Sequence, residues 1–152
     1  MLRTRPVESR DLDLICEHRQ KMFQASGKPR EEELAAMDVP FRDWLRPRLE
    51  DRSYFGFIVE NEGEVIGGIG LMVIDWPPHP SHPQDDRRGY VLNMFIEPDY
   101  RGRGVATDLM KAADVEFQRR GIRYAILHAT SKGRPLYEYL GWSGTTEMAK
   151  QY

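Results

Sequence analysis

The sequence predicts a single domain of the α/β (α+β) class, and three stretches indicate it. Residues 90–96 are apolar and aromatic, which is typical of a buried strand. Residues 105–117 place their apolar residues at helical spacing, after a loop rich in glycine. Residues 54–60 and 64–74 have the composition of two strands, and Asn61-Glu62-Gly63 between them is a hairpin signal. A chain of 152 residues is long enough to bury one core.

The first fifty residues predict one short strand and two helical regions. Residues 2–7 form the strand, which its arginines place near a sheet edge, and Ser9 is the predicted N-cap of a helix running to about Gln24. A second helical region covers about 30–50, and Pro40 and Pro47 are expected to break it into pieces. Its first turn carries three glutamates at 31–33, which suit either a solvated helix start or contact with a cationic substrate.

The second half of the chain predicts a loop, a strand, a helix and a final strand. Residues 75–86 predict a proline-stiffened loop, whose Trp76, His79 and His82 are candidates for a wall of the binding site. Two histidines without a third ligand do not predict a metal site. Residues 124–128 predict a buried strand, Thr130 or Ser131 a helix cap, and 132–140 the helix, with a final strand around Met148.

Composition excludes several classes of function. The chain has 22 basic and 24 acidic residues, so it has no general attraction for nucleic acid. The single cysteine, Cys16, excludes an internal disulfide, and its apolar helical setting favours a buried residue over a reactive thiol. We see no signal peptide and no apolar run long enough for a bilayer. We therefore expect a soluble, cytoplasmic protein without a membrane partner.

The loop between the central strand and its helix predicts an anion site. Pro98 ends the strand, and Gly102 and Gly104 allow positive φ and close approach of a ligand. The first turn of the next helix presents free N–H groups at the positive end of its dipole. Arg101 and Arg103 add positive charge beside them. Such a site suits a phosphate or pyrophosphate.

Several interpretations of this loop compete. A P-loop needs Lys-Ser/Thr after its last glycine, where Val105-Ala106 stands, so that interpretation fails. A dinucleotide fingerprint needs a third small residue, where Thr107 stands, and an acidic residue about twenty positions on, which is absent. A simple tight turn would explain the glycines but not the arginines.

Two motifs resemble one family. Arg101-x-x-Gly104-x-Ala106 is similar to the Q/R-x-x-G-x-G/A signature of the GNAT superfamily of acetyl-CoA-dependent N-acetyltransferases. Leu136-Tyr137-Glu138-Tyr139-Leu140-Gly141-Trp142 also resembles that family, and so does the strand before the signature. The resemblance covers nearly the whole chain. It implies a mixed, mostly antiparallel sheet of about six to seven strands, flanked by about four helices.

The resemblance also implies how acetyl-CoA is held. The backbone of Met94, Phe95 and Ile96 would pair with the pantetheine arm as an extra strand does. The pyrophosphate would lie on the loop and the start of the helix. At the start of the following helix, Ser131 and Arg134 occupy positions that commonly contact the cofactor, although Ser131 is equally well explained as a cap. The loop residues in question are Arg101, Gly102, Arg103, Gly104, Val105, Ala106 and Thr107.

Catalytic roles follow from the same resemblance. Tyr137 matches the tyrosine that many relatives use as the general acid for the leaving thiolate, although a purely packing role stays open. The strand position where some relatives place a glutamate base is Ile126 here. Glu97 is then the candidate base, with Asp75 and His128 as alternatives.

The predicted function is acyl transfer from acetyl-CoA to a primary amine by direct attack in a ternary complex. The acceptor would be a small-molecule or peptide amine, set by residues 28–50 and the 76–86 loop. The missing glutamate keeps an alternative open, namely a non-catalytic acyl-CoA sensor or regulatory module. A homodimer is common in such folds, and no sequence feature decides it.

Overall fold

One five-stranded sheet forms the centre of the protein, in a computed structural model that describes residues Met1–Tyr152. The strands lie side by side in chain order, antiparallel from β1 to β4, with β5 parallel to β4. The mixed, mostly antiparallel sheet is therefore confirmed, with β1 at one edge as predicted. The strands are β1 Leu2–Pro6, β2 Tyr54–Asn61, β3 Glu64–Asp75, β4 Arg87–Ile96 and β5 Ala125–Leu127.

The sheet has five strands where six to seven were predicted, a small difference. Residues 143–152 contain no regular element, so the predicted final strand around Met148 is not formed. A strand needs a row of apolar side chains to bury on one face, and the Met148 side chain is 93% exposed.

Four helices flank the sheet, in agreement with the prediction. The helices α1 and α2 cover one face together, and α3 covers the other. None of the helices combines the length and the apolar character that crossing a membrane requires. The helices are α1 Leu12–Ser26, α2 Glu31–Glu50, α3 Val105–Arg119 and α4 Arg134–Tyr139, with single 3-10 turns at Ser9–Asp11 and Pro98–Tyr100.

The prolines of α2 do not break it, so that prediction was wrong. Both Pro40 and Pro47 lie inside one continuous helix and are exposed. Each proline removes an N–H, but on the outer side water can satisfy the carbonyl left without a partner. The inner side is held by four buried residues, Leu34, Phe41, Leu45 and Leu49. Packing of this apolar stripe outweighs the local preference of proline.

Two clusters of apolar side chains form the core, one on each face of the sheet. The α3 helix contributes Val105, Leu109, Met110, Ala113 and Phe117, which have the helical spacing predicted for residues 105–117. The other cluster joins α1 and α2 to the sheet and includes Cys16, which is 2% exposed. Burial raises the pKa of the Cys16 thiol, so it is an inert core residue as predicted.

A buried ion-pair network fixes the start of the chain. The predicted cap Ser9 plays no such part; instead the Asp11 carboxylate accepts the Glu8 N–H at 2.8 Å. The Arg5 guanidinium donates to both Asp11 oxygens at 2.8 Å and to Glu60 at 2.7 Å. Burial disfavours the charged form of Asp11, but these hydrogen bonds outweigh burial and lower its pKa. The network ties β1, the 3-10 turn before α1, and β2 together.

The glycines of β3 at positions 67, 68 and 70 allow the neighbouring strands to approach closely. A Cβ atom at Gly70 would lie 2.0 Å from the Tyr54 hydroxyl oxygen, and one at Gly67 would lie 2.8 Å from the Phe95 carbonyl oxygen. The sheet has a β-bulge on either side of these glycines. Ile66 of β3 is the extra residue against β2, because Val59 pairs with Gly67 and Glu60 with Val65. The other bulge is on β4, because Gly68 pairs with Phe95 and Gly70 with Leu92. Two residues of β4 thus face one of β3.

We predict that Gly70→Ala lowers the free energy of unfolding by about 1–3 kcal/mol, because the new methyl group overlaps the buried Tyr54 hydroxyl. Urea unfolding measures the change. Gly144→Ala is the control, since its methyl group would meet only the flexible Arg134 side chain. Equal stability of the two variants would contradict the close-approach explanation.

Candidate active site

The centre of the site is a bulge in β4 at Asn93. Asn93 has a φ of 54°, in the left-handed region that asparagine tolerates better than most residues. Its side chain is buried and hydrogen-bonded at both ends: Arg19 Nη1 donates to Oδ1 at 2.7 Å, and Nδ2 donates to the Tyr54 hydroxyl at 3.0 Å. The bulge thus anchors α1 and β2 to the middle of β4.

Beyond the bulge, one edge of β4 has no neighbouring strand. β5 pairs with β4 only from Gly89 to Val91, so residues 92–96 are unpaired on that side. Backbone groups alternate between the two edges of a strand, and the Glu97 N–H faces β3, where it donates to the Ile66 carbonyl at 2.8 Å. The groups of Met94 and Ile96 therefore face the open edge, whereas those of Phe95 face β3.

The predicted loop presents six consecutive N–H groups, from Gly102 to Thr107, that have no partner in the protein. Gly102 and Gly104 have φ of 75° and 83°, so both adopt the left-handed conformation that the sequence predicted. A Cβ atom at either glycine would meet nothing within 4 Å, so their conformation requires glycine and their packing does not. Free N–H groups that converge at a helix N-terminus are a binding site for phosphate.

The two loop arginines have different roles. Arg101 folds back, and its Nε donates to the Ile96 carbonyl at 2.9 Å, which ties the loop to the end of β4. Arg103 lies over the Tyr100 ring, 5.2 Å from its centroid, and its guanidinium has no carboxylate partner. Arg103 is thus the arginine free to pair with a bound anion.

The start of α4 differs in detail from the prediction. The helix begins at Arg134 with Gly133 as its N-cap residue, so neither Thr130 nor Ser131 caps it; the Thr130 hydroxyl accepts the Gly133 N–H at 3.1 Å in the turn before the helix. Ser131 is exposed and makes no such bond, so its packing leaves it available to a ligand. Arg134 is exposed too, with its Nε 3.5 Å from Glu138. Their contact with a cofactor stays a prediction.

Tyr137 lies half-buried on α4 against the core under the α3 face. Its hydroxyl has no hydrogen-bond partner within the protein, and burial raises the pKa of the phenol. A phenol that is protonated and unpartnered has the chemistry of a proton donor. Tyr137 therefore packs against the core and also keeps its hydroxyl free.

The three candidate bases lie in different places. Glu97 Oε1 is 2.9 Å from Lys21 Nζ, so its carboxylate is engaged in an ion pair. Asp75 is exposed at the end of β3. His128 follows β5 immediately after the last β4–β5 pair, and its ring lies edge-on to Tyr90 with 5.8 Å between centroids.

A cavity of about 390 Å³ lies on the α1/α2 face of the sheet, beside the bulge. Its apolar lining comes from α2, β3 and β4: Met37, Pro40, Phe41, Trp44, Met72 and Leu92. Tyr90 and Arg19 supply its polar groups. Neither Arg19 nor Asn93 was predicted from sequence, although an asparagine within the apolar run 91–96 was a signal. The glutamates at 31–33 are not part of the lining.

The loop residues proposed as a wall form a cluster of their own. His82 is 1% exposed, and its Nε2 lies 3.0 Å from Arg88 Nε. The Arg88 guanidinium is 4.1 Å from the Trp76 ring centroid and 4.3 Å from that of Tyr124. Trp76, His79 and His82 thus stabilise the loop over the start of β4 and line no part of the cavity.

Comparisons with known proteins agree with this geometry. Residues 12–142 match the model of the acetyltransferase (GNAT) family. A GCN5-related N-acetyltransferase from Ralstonia eutropha JMP134 is 53% identical, with a TM-score of 0.98 over 100% of this chain and 99% of that one. A "predicted acetyltransferase" from Clostridium acetobutylicum, solved with acetyl-CoA, is 26% identical, with a TM-score of 0.90 over 100% and 96% of the chains.

A curated relative is more distant. The uncharacterised N-acetyltransferase YycN of Bacillus subtilis (strain 168) is 28% identical over 130 residues, which cover 83% of this chain and 78% of the relative. The signature loop, the open edge of β4 and these likenesses lead to one conclusion: the chain belongs to the GNAT family of acetyltransferases.

Proposed function

We propose that the protein transfers an acetyl group from acetyl-CoA to a primary amine, by direct attack of the amine in a ternary complex. The observation that carries the proposal is the run of six unpartnered N–H groups, Gly102 to Thr107, next to the open edge of β4. A pyrophosphate requires such donors, and an amide-bearing arm requires such an edge.

Each part of the co-substrate has a complementary partner in this arrangement. The loop N–H groups and Arg103 bind the pyrophosphate. The pantetheine amides pair with the backbone groups of Met94 and with the Ile96 N–H, because the Ile96 carbonyl already accepts from Arg101 Nε. Because β4–β5 pairing ends at Val91, just before the bulge, we expect the thioester at the end of that arm to lie near Asn93, beside the cavity. The cavity then holds the acceptor.

The reaction exchanges one bond for another. The lone pair of the neutral amine attacks the thioester carbonyl carbon, a C–N bond forms, and the C–S bond breaks. The amine loses one proton and the thiolate takes up one, which leaves an amide and free CoA. No covalent bond to the protein is needed, and the buried Cys16 could not supply one.

Deprotonation of the amine is the largest demand on the site. A lysine-like amine with a pKa of about 10.4 is neutral in about one molecule in 2,500 at pH 7, which costs about 4.6 kcal/mol. Glu97 remains the proposed base, and it would have to exchange its ion pair with Lys21 for contact with the amine or a water. His128 is the alternative, because it lies at the opening between β4 and β5.

Tyr137 is the proposed general acid. Burial raises its pKa, so the phenol stays protonated at neutral pH. It can then donate a proton, or a hydrogen bond, to the departing thiolate.

Calorimetric titration tests the co-substrate site first. We expect acetyl-CoA and CoA to bind with a Kd of about micromolar, and NADH to bind far more weakly. Gly104→Glu should abolish CoA binding, because its carboxylate would occupy the phosphate position. Gly121→Glu is a matched control at the other end of α3: its φ is 75° and its Cβ position is equally open, so strain and added charge are alike. Tighter binding of NADH than of CoA, or an equal loss of CoA affinity in both variants, would contradict the proposal.

Tyr137→Phe tests the general acid. We expect it to lower turnover by about tenfold or more and to leave acetyl-CoA affinity unchanged, because only the hydroxyl is lost. Tyr139→Phe is the control on the same helix, since that side chain is 85% exposed. Unchanged turnover of Tyr137→Phe would exclude the acid role, and an absence of turnover in wild type with a broad amine panel would favour an acyl-CoA sensor.

The raised pKa of Tyr137 also predicts a pH dependence. In the difference between alkaline absorbance titrations of wild type and Tyr137→Phe, the phenol should ionise above its ordinary pKa of 10.0. Since the unfolded chain ionises first, Tyr137 should lower the free energy of unfolding as pH rises from 10.0 toward the folded-state value. Ionisation at or below 10.0 would show that burial does not govern this group.

A further inference from the structure

The acceptor cavity contains one charged side chain, and that side chain is positive. Apolar and aromatic residues line most of its wall, Tyr90 contributes a phenol, and no carboxylate takes part. Arg19, on α1, contributes the charge. An acceptor must therefore bring its own amine next to a guanidinium, with no acidic group to attract that amine.

Arg19 also lacks a carboxylate partner of its own. Of its five N–H donors, only one on Nη1 is used, in the bond to Asn93, and Nε is buried without a partner. No carboxylate oxygen lies within ion-pair distance of its nitrogens, whereas Arg5 has two such partners. Burial lowers the pKa of Arg19, yet arginine stays charged in proteins. A charge held in this way usually has a counter-ion, and here the protein provides none.

The guanidinium is held in a fixed position. It lies 4.5 Å from the Phe41 ring centroid and 5.0 Å from that of Phe23, while Asn93 holds Nη1 at 2.7 Å. Stacking and one hydrogen bond orient the planar group without neutralising it. The N–H groups of a guanidinium form a planar fork. This fork suits a carboxylate, which accepts two parallel N–H bonds.

The position of Arg19 relative to the reacting thioester limits the size of the acceptor. Arg19 bonds to Asn93, and Asn93 immediately precedes Met94, whose free backbone groups hold the pantetheine arm under the proposed function. An anion on Arg19 and an amine at the thioester must therefore belong to one small molecule.

We propose that the acceptor is an amine that also carries a carboxylate, as a free amino acid does, with an apolar or aromatic body in the cavity. This inference rests on the proposed function and specifies its substrate class. Arg19 binds the carboxylate, and the rings of Phe41 and Trp44 contact the body. Polycationic acceptors are disfavoured, because Arg19 would repel a second ammonium group.

Binding of matched ligand pairs tests the proposal. L-phenylalanine and L-leucine are titrated against their amides, with spermidine as a polycationic comparator, in the presence and absence of saturating CoA. We expect each free amino acid to bind about tenfold or more tightly than its amide, a difference of about 1.4 kcal/mol. Since the amides have the less basic amines, easier deprotonation cannot explain a preference for the acids.

Arg19→Met should abolish that preference, and Arg46→Met should retain it, because Arg46 is exposed on α2 and outside the cavity. Unchanged CoA affinity and thermal unfolding show that Arg19→Met is folded. If it does not fold, Arg19→Lys serves instead, since a lysine keeps the charge but lacks the fork and should reduce the preference.

The two proposals fail separately. Equal affinity for acid and amide, tighter binding of the amide or spermidine, binding of neither, or a preference that survives in Arg19→Met would each overturn the carboxylate proposal. If CoA still binds in those cases, the acetyltransferase proposal stands. If CoA does not bind to wild type, the proposed function fails, whatever the amino acids do.

Discussion

The unequal pairing of β4 is the constraint on which the site depends. β3 pairs along the length of this strand, whereas β5 pairs only from Gly89 to Val91. Free backbone groups within a protein need partners, and an open strand edge is a template for another extended chain. The signature loop lies at the end of that same edge. One irregularity of the sheet thereby brings together an edge, a phosphate site and a cavity.

The bulge at Asn93 connects this opening to the rest of the fold. A non-glycine residue with φ of 54° is strained, and such strain persists only where the surroundings fix it. Here Tyr54 and Arg19 hydrogen-bond both ends of the side chain. Gly70 leaves the space that the Tyr54 hydroxyl needs. Residues that stabilise the core on the α1/α2 face therefore also set the geometry beside the cavity.

Buried Arg5 and half-buried Arg19 show two different environments for a charged side chain in this fold. Arg5 is surrounded by the carboxylates of Asp11 and Glu60, which raise its pKa and hold three elements together. Arg19 has aromatic rings and one amide oxygen instead. In the first arrangement the charges pair with one another, and the pairs stabilise the fold. The second leaves charge and donors unused next to a cavity, which is a property of binding sites.

The sequence by itself determined the features whose causes are local. The left-handed glycines, the free N–H groups of α3 and the helical stripe that packs on the sheet depend on residues close together in the chain. Predictions failed where distant packing decided: α2 continues through Pro40 and Pro47 because its inner face is buried, and no strand forms around Met148. The cavity and the unpaired Arg19 were also invisible, since Asn93 lies 74 residues from Arg19 in sequence. Only the tertiary structure brings such partners together, because side-chain contacts across the sheet leave no periodic pattern in the chain.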